Sequence, residues 1–76
     1  MNKARREQIQ NVIDALLDIK DSIDNICSDE QEYYDNMPDG IRDSERGEQA
    51  QSAISALESA GEAIDDVIPG LEEAQE

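Results

Sequence analysis

The chain has no histidine, tryptophan or phenylalanine, and its only cysteine is Cys27. Alone, Cys27 cannot close an intrachain disulfide, and without histidine the ordinary Cys/His zinc patterns are excluded. The same gap removes the usual nucleophile and base sets, so carboxylates are the only side chains left for acid–base chemistry. Long apolar runs are missing as well. The longest, Ala15-Leu16-Leu17, is far shorter than the ~20 residues that span a bilayer, and MNKARREQIQN turns polar where a signal peptide requires an apolar stretch. These absences predict a soluble protein of a reducing cytoplasm, with no membrane contact.

Positive charge is also scarce. Six Lys and Arg stand against twenty Asp and Glu, for a net charge of −14. The imbalance is uneven: residues 1–27 hold five acids and four bases, residues 28–76 fifteen acids and two bases. Such a field repels nucleic acid and anionic lipid and attracts cations and basic protein surfaces. Few aromatics and high charge would suit a disordered chain, but the apolar periodicity argues for a folded one.

From Ile9 the apolar residues fall at Val12, Leu16, Ile19, Ile23 and Ile26, then in phase at Glu30, Tyr33 and Met37. Alternating steps of three and four describe one stripe of a helix, here over about 3–36. Ser28 opens a capping-box-like SDEQ, so a break after Cys27 is the alternative. Pro38 disfavours helix at the residue before it, and Pro38-Asp39-Gly40 is turn chemistry, giving a hinge over about 37–44. Ile41 is expected beneath the hinge, and Asp43 or Ser44 is expected to cap the next helix. That helix covers about 45–68, with a seam at Ala50, Ala53, Leu57, Ala60, Ile64 and Val67 that stays in phase at Leu71 and Ala74. Pro69 removes the amide that would bond the carbonyl of Asp65, so a kink or an end is expected near Ile68, with a frayed extension to about 74.

Folded back across the hinge, the two seams pair Ile9 with Ala74, Leu16 with Val67, Ile19 with Ile64, Ile26 with Leu57 and Tyr33 with Ala50. Large residues on one helix meet small ones on the other, as close antiparallel packing requires. The expected fold is all-α: residues 1–76 form one antiparallel coiled-coil hairpin. In it Lys3, Arg5 and Arg6 become neighbours of Glu72, Glu73 and Glu76, although each group is unfavourably placed for its own helix dipole. At this size a single core contributes no more than roughly 3–5 kcal/mol. Apolar residues flanking the seam, Ile13, Leu17, Cys27, Ile54 and Ile68, are therefore expected to form an interface that makes a homodimeric four-helix bundle.

No residue set reads as catalytic, metal-binding or cofactor-binding. DNMPDGIRDSER places Asp, Gly and Asp near calcium-loop positions, but Arg46 stands where a bidentate Glu is needed. Glu45-x-x-Glu48 and Glu62-x-x-Asp65 resemble the magnesium-holding pairs of helical nucleotide pyrophosphatases, yet both lie on one helix with no facing pairs. Cys27 reads as a small buried hydrophobe. What remains is the acidic surface near the hinge: Asp29, Glu30, Glu32, Asp35, Asp39, Asp43 and Glu45, with Tyr34 as an aromatic anchor. The plain reading is a solvated face that keeps a small bundle soluble. The sharper one is that carboxylates on rigid helices imitate nucleic-acid phosphates and occupy a basic groove on another protein. Tyr33 is expected to cover Ala50 and close the end of the core.

The run YYDNMPDGIRDSERGEQAQSAISALESAGEAIDDVIPGLEEA, through its NMP turn, SERGE helix start and AIxxLExA repeat, resembles small acidic helical proteins of phage and mobile-element origin. That resemblance implies a phage-like origin more than a mechanism; by analogy with other short, very acidic phage proteins, among which inhibitors of host defence or of DNA-binding enzymes, including anti-CRISPR proteins, recur, it points to a phage-type inhibitor in the cytoplasm of a host cell.

Overall fold

In the computed structural model, which describes residues 1–76, α1 spans Lys3–Asp35, α2 is the single turn Asp39–Arg42, and α3 spans Glu45–Ala74. There are no strands. Asn2 caps α1, its side-chain oxygen accepting from the Arg5 amide at 2.8 Å. The helix passes Ser28 without a break. α3 likewise runs through Pro69 instead of ending at Ile68. A proline costs a helix one hydrogen bond there, and the packed apolar residues Ile68 and Leu71 on either side hold the last turns against α1.

α1 and α3 lie antiparallel in a rod of 59 × 15 × 12 Å. Bonds from end to end fix the register. Gln75 donates to Gln10 Oε1 at 2.9 Å, Lys20 reaches Asp65 at 2.7 Å, and Gln51 donates to the Tyr34 hydroxyl at 2.8 Å. This lengthwise alignment lies within about one residue of the sequence pairing. The rotation of the helices is not.

The residues turned inward are Ile9, Ile13, Leu16, Lys20, Ile23, Cys27, Glu30 and Tyr34 of α1 with Met37 just past its end, and Gly47, Ala50, Ile54, Leu57, Gly61, Ile64, Ile68 and Leu71 of α3 with Gln75 just past its end. Ile9, Leu16 and Ile23, like Ala50, Leu57 and Ile64, occupy the seam in both readings. Each intervening position falls four residues on, where the sequence reading placed it three on. Each helix is thus turned by about 50° about its axis. Ile13, Cys27, Ile54 and Ile68, expected at the flank, are in the seam, with Ile13 at 4% and Ile54 at 8% exposure. Val12, Ile19, Ile26 and Val67, expected in the seam, are about half exposed.

The hinge sets this rotation. A Cβ at Gly47 would overlap the carbonyl of Arg42, so α3 can leave the hinge only with Gly47 facing inward, and Ile54, Gly61 and Ile68 follow in the same column. Tyr34, bonded by Gln51, sets the matching column of α1. Met37, not Ile41, fills the space under the hinge: Met37 is buried and Ile41 is exposed. Ser44 occupies the N-cap position of α3, but its hydroxyl donates to the Ile41 carbonyl and caps no amide.

Candidate protein-binding surfaces

The observed rotation divides the rod into two unlike long faces. On one, the columns beside the seam carry Arg5, Val12, Ile19, Ile26 and Tyr33 from α1 with Arg46, Ala53, Ala60, Val67 and Ala74 from α3. The next columns outward hold Gln8, Ala15, Ser22 and Asp29, then Gln49, Ala56, Ala63 and Gly70. Of the twenty carboxylates, only Asp29 stands in these four columns. The carboxylates repeat at periods that leave one broad side of both helices close to neutral, with Arg5 and Arg46 near its two ends.

The opposite face is acidic. Here Asp24, Glu32, Asp35 and Glu58 line a shallow groove beside Cys27 and Gln31. It continues along the rod past Gly61 to Glu62 and Asp65. Gly61 is buried under α1, and a Cβ there would stand 3.5 Å from Asp24 Oδ1, so the missing side chain brings the acids of the two helices close together. Lys20 is the one cation in this groove, donating to both carboxylate oxygens of Asp65 at 2.7 Å. That hydrogen bond, opposed by partial desolvation and aided by the charges of Asp65, Asp24 and Asp21, raises the Lys20 pKa above its ordinary value. Leu17 is the lone large apolar side chain exposed on this side.

The residues expected to bind a partner do not stay together. Glu32 and Asp35 join the groove. Asp29 turns onto the neutral face, and Glu30 occupies a half-buried seam position. Asp39, Asp43 and Glu45 curve around the hinge, with Asp39 Oδ1 3.8 Å from Arg42 Nη1. The tyrosines exchange roles. Tyr33 is 49% exposed on the neutral face, whereas Tyr34 is half-buried, accepts from Gln51 and has the Arg42 guanidinium over its ring. Turning α1 by 50° is enough to make that exchange.

Three residues outside the expected binding set carry roles: Asp24 and Glu58, which bring the groove together, and Arg42. From α2, Arg42 Nη2 donates to the carbonyls of Asp35 and Met37 at 3.2 Å each. The last turn of α1 contains no basic residue, so Arg42 supplies the cation that a helix C-terminus favours. A lone arginine in an acidic hinge is the signal that could have revealed it. At the other end, Arg5 and Arg6 form no ion pair with Glu72, Glu73 or Glu76. The ends are joined instead by Gln75, which bonds Gln10 and the Arg6 carbonyl.

The thiol of Cys27 donates to the Ile54 carbonyl at 3.8 Å inside the seam. No group of three or more Asp, Glu or Cys converges on a point that could hold a metal ion, and no helix is long and apolar enough to cross a membrane. Comparison with protein-family models, curated proteins and solved structures finds no match.

Proposed function

We propose that the chain is a non-enzymatic binding module: hairpins pair into a homodimeric four-helix bundle whose carboxylate groove engages a basic, nucleic-acid-binding surface of another protein. The observation that carries this reading is the segregation of charge. Twenty carboxylates along 59 Å give one for about every 3 Å of rod, against roughly one phosphate per 1.7 Å of duplex DNA, and nearly all of them are kept off one long face. The face left free is the one a second copy can cover, and the carboxylates are thereby concentrated on the opposite side, where a basic groove would meet them. The specific form of the proposal is a phage-type inhibitor that denies a host nuclease its nucleic acid.

A second reading, a structural or regulatory module that docks a partner helix on apolar residues, is favoured by the exposure of Val12, Ile19, Ile26 and Tyr33. Salt separates the two. Proteins retained from a bacterial extract by the immobilised chain are expected to elute as salt rises toward about 0.5 M and to be displaced by duplex DNA, because ion-pair contacts are screened. The variant Glu32→Lys/Asp35→Lys/Glu58→Lys is expected to retain none of them. Retention that is indifferent to salt and to DNA would favour the apolar reading and refute the mimic.

A further inference from the structure

We infer that the neutral face of the hairpin is the surface on which a second copy of this chain docks, antiparallel and two-fold symmetric, with Arg5 of each protomer beside Asp29 of the other. The inference rests on the dimeric part of the proposal above and specifies its face and polarity. The first argument is area. A folded monomer of this mass, 8.4 kDa, is expected to expose roughly 4600 Å², but the hairpin exposes 5400 Å². The excess is about 800 Å², which is what one partner loses in an interface of standard size, about 800 Å². The inside of the hairpin is correspondingly thin: the buried residues are six of 76, and no large side chain is fully buried.

The second argument is charge. Two chains of −14 each can approach closely only where carboxylates are few, and that condition selects this face on both copies. A basic partner finds nothing to pair with here except Asp29, whereas a second copy presents an equally neutral surface of the same length.

The third argument fixes the polarity. Besides Arg46 of α3 at the hinge end, the face has two charged residues, both on α1: Arg5 near one end and Asp29 toward the other, about 36 Å apart at the rise of a helix. A two-fold axis midway between them brings each onto the other's partner. The axis then passes close to Ile19 and to Val67, which the Lys20–Asp65 bond places beside the same stretch of α1. It also sets Met1, 54% exposed, against Tyr33, 49% exposed. A parallel arrangement would put arginine against arginine and Met1 against Met1.

Light scattering after size exclusion tests this. The native chain is expected to be a dimer at micromolar concentration. Ile19→Glu and Ala60→Glu, both exposed in the hairpin, are expected to raise the dimer Kd at least about 100-fold while keeping the helical circular dichroism. Leu17→Glu, on the acidic side, is expected to leave the dimer intact. Arg5→Glu and Asp29→Arg should each weaken the dimer about fivefold, and their combination should restore it. A monomeric native chain overturns both this inference and the dimer proposal. A dimer that survives Ala60→Glu, or that Leu17→Glu abolishes, overturns the face alone, and failure of the double charge swap to restore affinity overturns the antiparallel pairing.

Discussion

The guanidinium of Arg42 stands over the ring of Tyr34, 5.6 Å from its centroid, and joins the end of α1 to the turn that reverses the chain. Its Nη2 reaches the Asp35 and Met37 carbonyls, and its Nε is buried without a partner. A cation–π contact of this kind contributes about 0.5–1 kcal/mol, and charged hydrogen bonds to otherwise open carbonyls contribute about as much or more.

Arg42→Ala is therefore expected to destabilise the chain by about 1–2 kcal/mol, a fall in Tm of roughly 5–10 °C for a domain of this size. Arg42→Lys should recover less than half of that loss, because an ammonium restores the charge but not the planar fork that spans two carbonyls. Thermal unfolding followed by circular dichroism at one fixed protein concentration measures both variants. A loss below about 0.5 kcal/mol for Arg42→Ala would remove the arginine from its role at the hinge.

Gly47 and Gly70 both lie within α3, and their alanine variants are expected to move stability in opposite directions. Alanine is the better helix former by about 1 kcal/mol. A Cβ at Gly70 meets nothing within 4 Å, so Gly70→Ala should stabilise by about 0.5–1 kcal/mol. At Gly47 the added carbon meets the backbone of Arg42, including its carbonyl, and backbone cannot step aside as a flexible side chain can. Gly47→Ala should cost about 1–3 kcal/mol. Urea unfolding of the two variants beside the native chain decides the matter. Equal stabilisation by both would show that the hinge does not hold α3 against Arg42.

The helices, the hinge and the lengthwise pairing were legible because each rests on local chemistry: apolar spacing, Pro38 and the turn residues after it, and the count of residues on either side. The rotation was not legible. Apolar residues stand both three and four positions after Ile9, at Val12 and Ile13, and the ambiguity repeats at Ile26 with Cys27 and Tyr33 with Tyr34, whereas Ile19 is followed by Lys20. Periodicity alone favours the more apolar column, which put Lys20 outside. Placing Lys20 at the edge of the seam becomes favourable only once Asp65 is opposite, and Gly47 acquires its meaning only from the carbonyl of Arg42. Both facts belong to contacts between distant residues. The same rotation decides which acids share the groove, so the candidate surface could be anticipated as acidic and close to the hinge, but not as the set Asp24, Glu32, Asp35 and Glu58.

The bond between Lys20 and Asp65 also sets the pH response of the fold. Lys20 has its pKa raised above the ordinary 10.5, first by the hydrogen bond from its ammonium to Asp65. A raised pKa means that the folded chain holds this proton more tightly than the unfolded chain does, so the associated stability is complete below the unfolded pKa and is lost as pH rises through the folded one. Between pH 7 and 10 the bond should contribute without change; above about pH 10.5 it should fade. Tyrosine ionisation falls in the same alkaline range, so the informative quantity is the difference between the native chain and Asp65→Asn. That difference in Tm is expected to be constant from pH 7 to 10 and to shrink beyond it, because the variant has already lost the carboxylate that favours the charged lysine. Raising salt at pH 7 should shrink it as well, since the pair is partly open to solvent and is screened accordingly. A difference that persists undiminished at pH 12 would mean that Asp65 stabilises the hairpin by some contact other than the one it makes with Lys20.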